Sequence, residues 1–159
     1  MGLTVKSSYA LRALYELALF HKNGIERVSI NELSTKQKIP KDFLEKIFSE
    51  LREYGVVDSV RGRYGGYALS KDPKKLKLSE VIYILDKPFQ SYECVITGKC
   101  ETLGSDCAVG YIWKKVNAIL MQELSKITLA DLIELGEKLE LMGGNTVEEK
   151  INNIDEWRS

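Results

Sequence analysis

Three cysteines, Cys94, Cys100 and Cys107, fall within fourteen residues of a 159-residue chain that holds no other cysteine. Five and six residues separate them, and Gly98 and Gly104 lie between, where the backbone bends freely enough for the sulfurs to converge. Three thiolates on one short loop suit a metal such as zinc or an iron-sulfur cluster, both of which take soft sulfur ligands. An odd count leaves one thiol over after any pairing, so a disulfide framework is the poorer reading. The blander alternative is a set of small, partly buried hydrophobes. Glu93, Glu101 and Asp106 beside them read as solvated loop charges, and His21, the single histidine, as a helix-end residue remote in sequence.

The elements that must position this loop follow from apolar spacing. Residues 6–22 are apolar almost all round, through Ala10, Leu11, Ala13, Leu14, Leu17, Ala18, Leu19 and Phe20, which predicts a helix buried on most sides and ended by Asn23-Gly24. Ser29 and Glu32 form a capping box opening a short helix to about Gln37. Lys38-Ile39-Pro40 makes a turn, with Pro40 placed to start a third helix whose buried face is Phe43, Leu44, Ile47, Phe48 and Leu51. Gly55 stops it, and two β-prone runs, Val56–Val60 and Tyr67–Ser70, flank a glycine-rich connection at residues 61–66. Helix, short helix, turn, helix and hairpin is the order of a winged helix-turn-helix, which sets one helix in the DNA major groove and the wing on the backbone or minor groove.

Beyond Pro73 a fourth helix is expected at about Ser79–Leu85, and Pro88 breaks the pattern ahead of the cysteines. Ala108, Ile112, Val116, Ile119, Leu120 and Ile127 then form an apolar stripe on a long helix, and a second copy of the chain is the economical partner for it. Thr128 to Asp131 has the form of another helix start. The fold class is therefore mainly α with a small β-hairpin wing: a winged helix-turn-helix over residues 1–77, the cysteine loop and dimerisation helices over 78–142, and a flexible acidic tail over 143–159.

Lys plus Arg balances Asp plus Glu at 23 each, but residues 1–75 carry 14 basic against 9 acidic side chains and the remainder 9 against 14. The basic half can attract phosphate. Within it Lys41, Asp42, Glu45 and Lys46 would occupy the groove-entering end of the recognition helix, where lysine contacts guanine or phosphate and a carboxylate prefers cytosine amino groups. Arg61 and Arg63 would grip phosphates or a narrow minor groove from the wing, with Tyr64 adding stacking surface. Solvated helix and hairpin charges are the plainer account of each. The partner expected is double-stranded DNA carrying a palindromic operator. One histidine, no HExxH and no P-loop leave no complete catalytic set, so the chain reads as no enzyme. The start lacks a signal-type apolar run and no stretch reaches the ~18 apolar residues of a membrane span, which predicts a cytoplasmic protein with reduced thiols and no membrane partner.

Over residues 1 to about 140 the chain resembles dimeric winged-helix regulators of the IscR, NsrR, RirA and CymR type. The resemblance rests on Leu3-Thr4 and Tyr9-Ala10, on the wing sequence from Ser59 to Tyr67, on the cysteine triplet and on Ile127 to Leu132. It implies a homodimeric bacterial transcription regulator, such as a repressor, whose cluster or thiol state sets its DNA affinity, with the three cysteines ligating a 2Fe-2S or 4Fe-4S cluster, the former favoured. It also implies that Arg61 is the family's wing arginine and that Glu45 makes one class of site depend on the cluster. Relatives supply a fourth ligand from a histidine where this chain has Gly110, or an aspartate where it has Ser8, so this chain departs from both patterns. The alternative is a cluster-free, thiol-based or partner-controlled regulator of cysteine or sulfur metabolism.

Overall fold

The computed structural model describes residues 4–86 and 107–141. Within them lie α1 (Val5–Lys22), α2 (Ile30–Gln37), α3 (Lys41–Glu53), β1 (Val57–Val60), β2 (Gly66–Leu69), α4 (Leu78–Asp86), α5 (Ala108–Ser125) and α6 (Leu129–Leu141). The expected winged helix-turn-helix order is present and the structure is mostly helical. None of the described helices is long and apolar enough to cross a membrane.

The apolar character of α1 explains its central place. Ala10, Ala13, Leu14, Leu17 and Ala18 are buried, and α1 packs against α2, α3, α4, α6 and β2. Around it Leu33 of α2, Leu44, Ile47, Phe48 and Leu51 of α3, and Val81 and Leu85 of α4 complete one continuous core. Burying such side chains contributes roughly 1.5–3 kcal/mol each, the term that holds the helices together.

Local chemistry sets the ends of the elements. Ser29 Oγ accepts from Glu32 N at 3.1 Å and starts α2, as its sequence predicts. Lys38 closes α2 in the left-handed region at φ 53°, which only a few non-glycine residues adopt, and turns the chain toward α3. Pro40 stands one place earlier than expected, as the N-cap of α3 rather than its first residue. Phe43 also departs from expectation: it lies at the rim of the buried face, 37% exposed, with its ring edge-on to Tyr9 at 5.9 Å.

The hairpin is antiparallel, with Val57 opposite Leu69 and Val60 opposite Gly66. Val28 adds a bridge to Tyr67, their amides and carbonyls exchanging bonds of 2.9 and 2.8 Å. Gly66 is required where these chains meet, since its φ is 149° and a Cβ there would stand 2.8 Å from the Val28 carbonyl oxygen. At the far side, Leu78 N donates to Ile127 O and Leu129 N to Leu76 O, both at 2.9 Å. Ile127 therefore lies past the end of α5 and joins this bridge, where the sequence placed it on the long helical stripe. Thr128 and Asp131 cap α6 reciprocally, Asp131 N donating to Thr128 Oγ1 at 3.2 Å and Thr128 N to Asp131 Oδ2 at 2.7 Å. The expected tail from residue 143 lies outside the described residues.

Candidate functional site

The turn at residues 38–40 presents the start of α3 to solvent. Lys41, Asp42, Glu45 and Lys46 are all exposed, while Leu44, Ile47, Phe48 and Leu51 on the opposite face have no accessible surface. Lys41 Nζ stands 3.8 Å from Glu45 Oε1, one turn along the helix. This is a helix held by its apolar side with a mixed-charge end free, which is chemically able to donate to phosphates and base acceptors through lysine and to accept from cytosine amino groups through the carboxylates.

The wing tip is exposed through Arg61, Gly62, Arg63 and Tyr64, the last with 87% of its surface accessible. Neither arginine joins an ion pair among the described residues, so both guanidinium groups keep their donors for an incoming group. Gly65 shapes the tip, because a Cβ on it would fall 2.2 Å from the Val60 carbonyl oxygen.

Two further arginines hold the wing in place, and nothing local in the sequence marked them. Arg27 Nη2 donates to Asp58 Oδ2 at 3.1 Å and Nη1 to the Gly66 carbonyl at 3.5 Å, while Arg52 Nη1 donates to Ser59 Oγ at 3.0 Å. The hydrogen bond from Arg27, with a backbone bond from Ser59, keeps the Asp58 carboxyl below the ordinary carboxylate range. The base of the wing is thereby tied to α3 through Arg52 and to the preceding chain through Arg27.

Behind α3, the only buried carboxylate among the described residues clasps the end of α2. Glu16 on α1 is 4% exposed, pairs with Lys36 and accepts from Gln37 Nε2 at 2.7 Å; Arg12 donates to the Gln37 carbonyl. Lys36 also lies 4.5 Å from the centre of the Phe20 ring. A buried carboxylate needs such partners, and the partners fix the turn that aims α3.

Of the cysteine triplet, Cys94 and Cys100 lie outside the described residues. Cys107 is the N-cap of α5, half-buried and free, with its Sγ accepting from Gly110 N at 3.5 Å. The Gly110 amide in the first turn of an 18-residue helix points at this sulfur, and a helix start suits negative charge. Gly110 is buried in the first turn of α5, and Ser8 is exposed in the first turn of α1. Among the described residues no group of three His, Cys, Asp or Glu is close enough to hold a metal ion. His21 is exposed in the last turn of α1.

The face of α5 carrying Tyr111, Ile112, Val116 and Ile119 is open to solvent, each residue between 41% and 70% exposed. An apolar run of this length left uncovered marks an interaction surface.

Residues 3–135 match the family model Rrf2, described as an iron-dependent transcriptional regulator. The chain is 36% identical over 143 residues to the HTH-type transcriptional regulator IscR of Klebsiella pneumoniae, covering 90% of this chain and 86% of that protein. Among solved structures it is similar to IscR of T. potens, with a TM-score of 0.70 and 28% identity over 87% of this chain and 90% of the other. It is also similar to CymR, the global cysteine regulator of B. subtilis, with a TM-score of 0.66 and 27% identity over 84% and 97% of the two chains.

Proposed function

The chain belongs to the Rrf2 family of transcriptional regulators, and from this we propose that it is a homodimer whose binding to a palindromic DNA site is set by an iron-sulfur cluster held by Cys94, Cys100 and Cys107. The observation that carries the reading is the place of Cys107. It sits outside the core, at the amide-lined start of the helix whose uncovered apolar face would meet the second subunit. A sulfur there suits a ligand better than a packing atom. When bound, the cluster would supply a redox- and iron-responsive link between the thiolates. Residues 1–77 form the DNA-binding part in this proposal and residues 78–142 the sensing and dimerising part.

The DNA contacts would divide by element. Lys41, Asp42, Glu45 and Lys46 would read base edges and phosphates in the major groove, with Lys41 restraining the Glu45 carboxylate beside it. Arg61, Arg63 and Tyr64 would engage the backbone or minor groove from the wing that Arg27 and Arg52 hold. The protein would act in the cytoplasm, where free thiols persist.

Anaerobic purification with iron and sulfide analysis and absorption spectroscopy tests the cluster, and sedimentation tests the dimer. Bound iron with matching sulfide in a dimer is the expected result; a colourless, iron-free protein overturns the cluster reading. Likeness to the global cysteine regulator CymR supports a second reading, in which thiol oxidation or a partner protein sets DNA binding. It prevails if replacing all three cysteines by serine leaves iron content unchanged while abolishing the response to oxidant.

The wing gives a separate prediction. Changing Arg61 and Arg63 together to alanine is expected to weaken binding across different duplexes alike, and to lower the slope of log affinity against log salt by roughly 0.9 for each phosphate no longer neutralised. Fluorescence anisotropy at several salt concentrations measures both. An unchanged slope would remove the wing arginines from the interface.

A further inference from the structure

Asp86 ends α4 with a negative charge where the carbonyls of its own helix already gather negative potential, and no basic residue occupies that last turn. The carboxylate turns instead to the start of α1. Thr4 N donates to Oδ2 at 3.0 Å, Thr4 Oγ1 to Oδ1 at 2.5 Å and Ser7 Oγ to Oδ2 at 2.5 Å. Ser7 is fully buried and also lies 3.0 Å from the Thr4 carbonyl, but it has one proton and the charged acceptor is nearer. Thr4, the N-cap of α1, makes no side-chain cap bond within its own helix. Asp86 therefore satisfies, from 82 residues away, the backbone amide of the N-cap residue and two hydroxyls at the start of α1.

The same part of α1 seats the recognition helix. Lys6 Nζ lies 2.7 Å from each carboxylate oxygen of Glu50 on α3, with both side chains partly shielded. Tyr9, one turn on, meets the Phe43 ring of α3 edge-on. Asp86 on one side and α3 on the other thus share the first two turns of α1. In sequence Asp86 precedes Cys94 by eight residues.

We propose that Asp86 is a positioning residue for DNA recognition: it fixes the first turn of α1 and, through Lys6–Glu50 and Tyr9–Phe43, sets how α3 meets the duplex. The seating of α3 stands on these contacts; its bearing on DNA recognition rests on the function proposed above. α1 packs against both α4 and α3, and α3 and α4 also touch, so the Asp86 contact and the seat of α3 belong to one packed unit.

The test uses the full chain, a palindromic duplex selected from a random pool by the wild-type protein, and an unrelated duplex of equal length. Asp86→Ala is expected to weaken the selected duplex by about 3- to 30-fold, the scale of energetic coupling through packed networks, while the unrelated duplex, held by phosphate contacts, changes little. Asp86→Asn, which keeps the shape and loses the charge, should shift it in the same direction by less and serves if the alanine variant folds poorly. In a Glu50→Gln background the effect of Asp86→Ala should shrink, because the route through Lys6 is already cut. The proposal is overturned if Asp86→Ala lowers the melting temperature yet leaves the ratio of selected to unrelated affinity unchanged, or if the Asp86 and Glu50 effects simply add. Measuring the ratio in iron-free and iron-loaded protein separates the two ideas. A wild-type chain that binds no iron defeats the cluster reading, whereas an unchanged ratio in iron-free Asp86→Ala defeats this one.

Discussion

Replacing Phe48 by alanine is expected to destabilise the fold by about 3–5 kcal/mol, enough to lower the melting temperature by roughly 6–20 °C in a chain of this size. Phe48 is the largest fully buried side chain among the described residues. It projects from the inner face of α3 onto Tyr67 of β2, ring centres 4.9 Å apart at 82°, an edge-to-face pair that adds about 0.5–1.5 kcal/mol to simple burial. Tyr67 in turn exchanges both backbone bonds with Val28. Recognition helix, wing strand and the chain leading into α2 therefore converge on one ring. Its removal leaves a cavity beneath both elements proposed to touch DNA, so affinity for the selected duplex should fall even at temperatures where the variant is folded. Phe48→Leu refills much of the volume and should recover most of the stability. Thermal melts of Phe48→Ala beside Phe43→Ala give the decisive comparison, because Phe43 sits at the rim of the same helix. Equal destabilisation at the two positions would contradict this account of the packing.

That contrast also shows how far the chain can be read without coordinates. The three helices and the hairpin of residues 1–77 announce themselves through signals that are local: the Ser29–Glu32 cap, the three-and-four spacing of Leu44, Ile47, Phe48 and Leu51, and the glycines of the wing. Periodicity locates a face but not its width, so it puts Phe43 inside although the ring lies at the rim. It also overruns the end of α5, since Ile127 keeps the apolar spacing although its backbone has left the helix to pair with Leu78. Long-range polar pairs leave no such trace. Glu16 interrupts an apolar helix without any sign of Lys36 and Gln37 waiting for it, and Asp86 resembles any acidic helix-end residue until Thr4 and Ser7 are seen against it. The exposed ends of α3 and the wing are legible as surfaces because charge and glycine mark them. Cys94 and Cys100 lie outside the described residues, and for them the proposal rests on the spacing of the sulfurs in the sequence.

If the proposed cluster is held as argued, Cys107→Ser is expected to abolish iron binding while leaving the iron-free protein as stable as before or slightly more so. The sulfur occupies the N-cap position of α5 and accepts from Gly110 N at 3.5 Å, a long and weak bond. Serine is a preferred N-cap residue, and its hydroxyl would hold the same amide better, a gain of up to about 0.5–1 kcal/mol. The two roles of Cys107 thus predict opposite outcomes. Were the thiol a packing group, the smaller and more polar hydroxyl would loosen the junction and lower the melting point of the iron-free chain. As a ligand it loses iron and sulfide together, and DNA affinity becomes the same whether or not the protein has been exposed to an iron-sulfur source. Chemical denaturation of the iron-free variant, iron analysis after anaerobic reconstitution and anisotropy on the selected duplex supply the three readings. Full iron retention in Cys107→Ser would take this residue out of the ligand set and shift weight to the thiol-based reading, in which oxidant rather than iron changes the affinity.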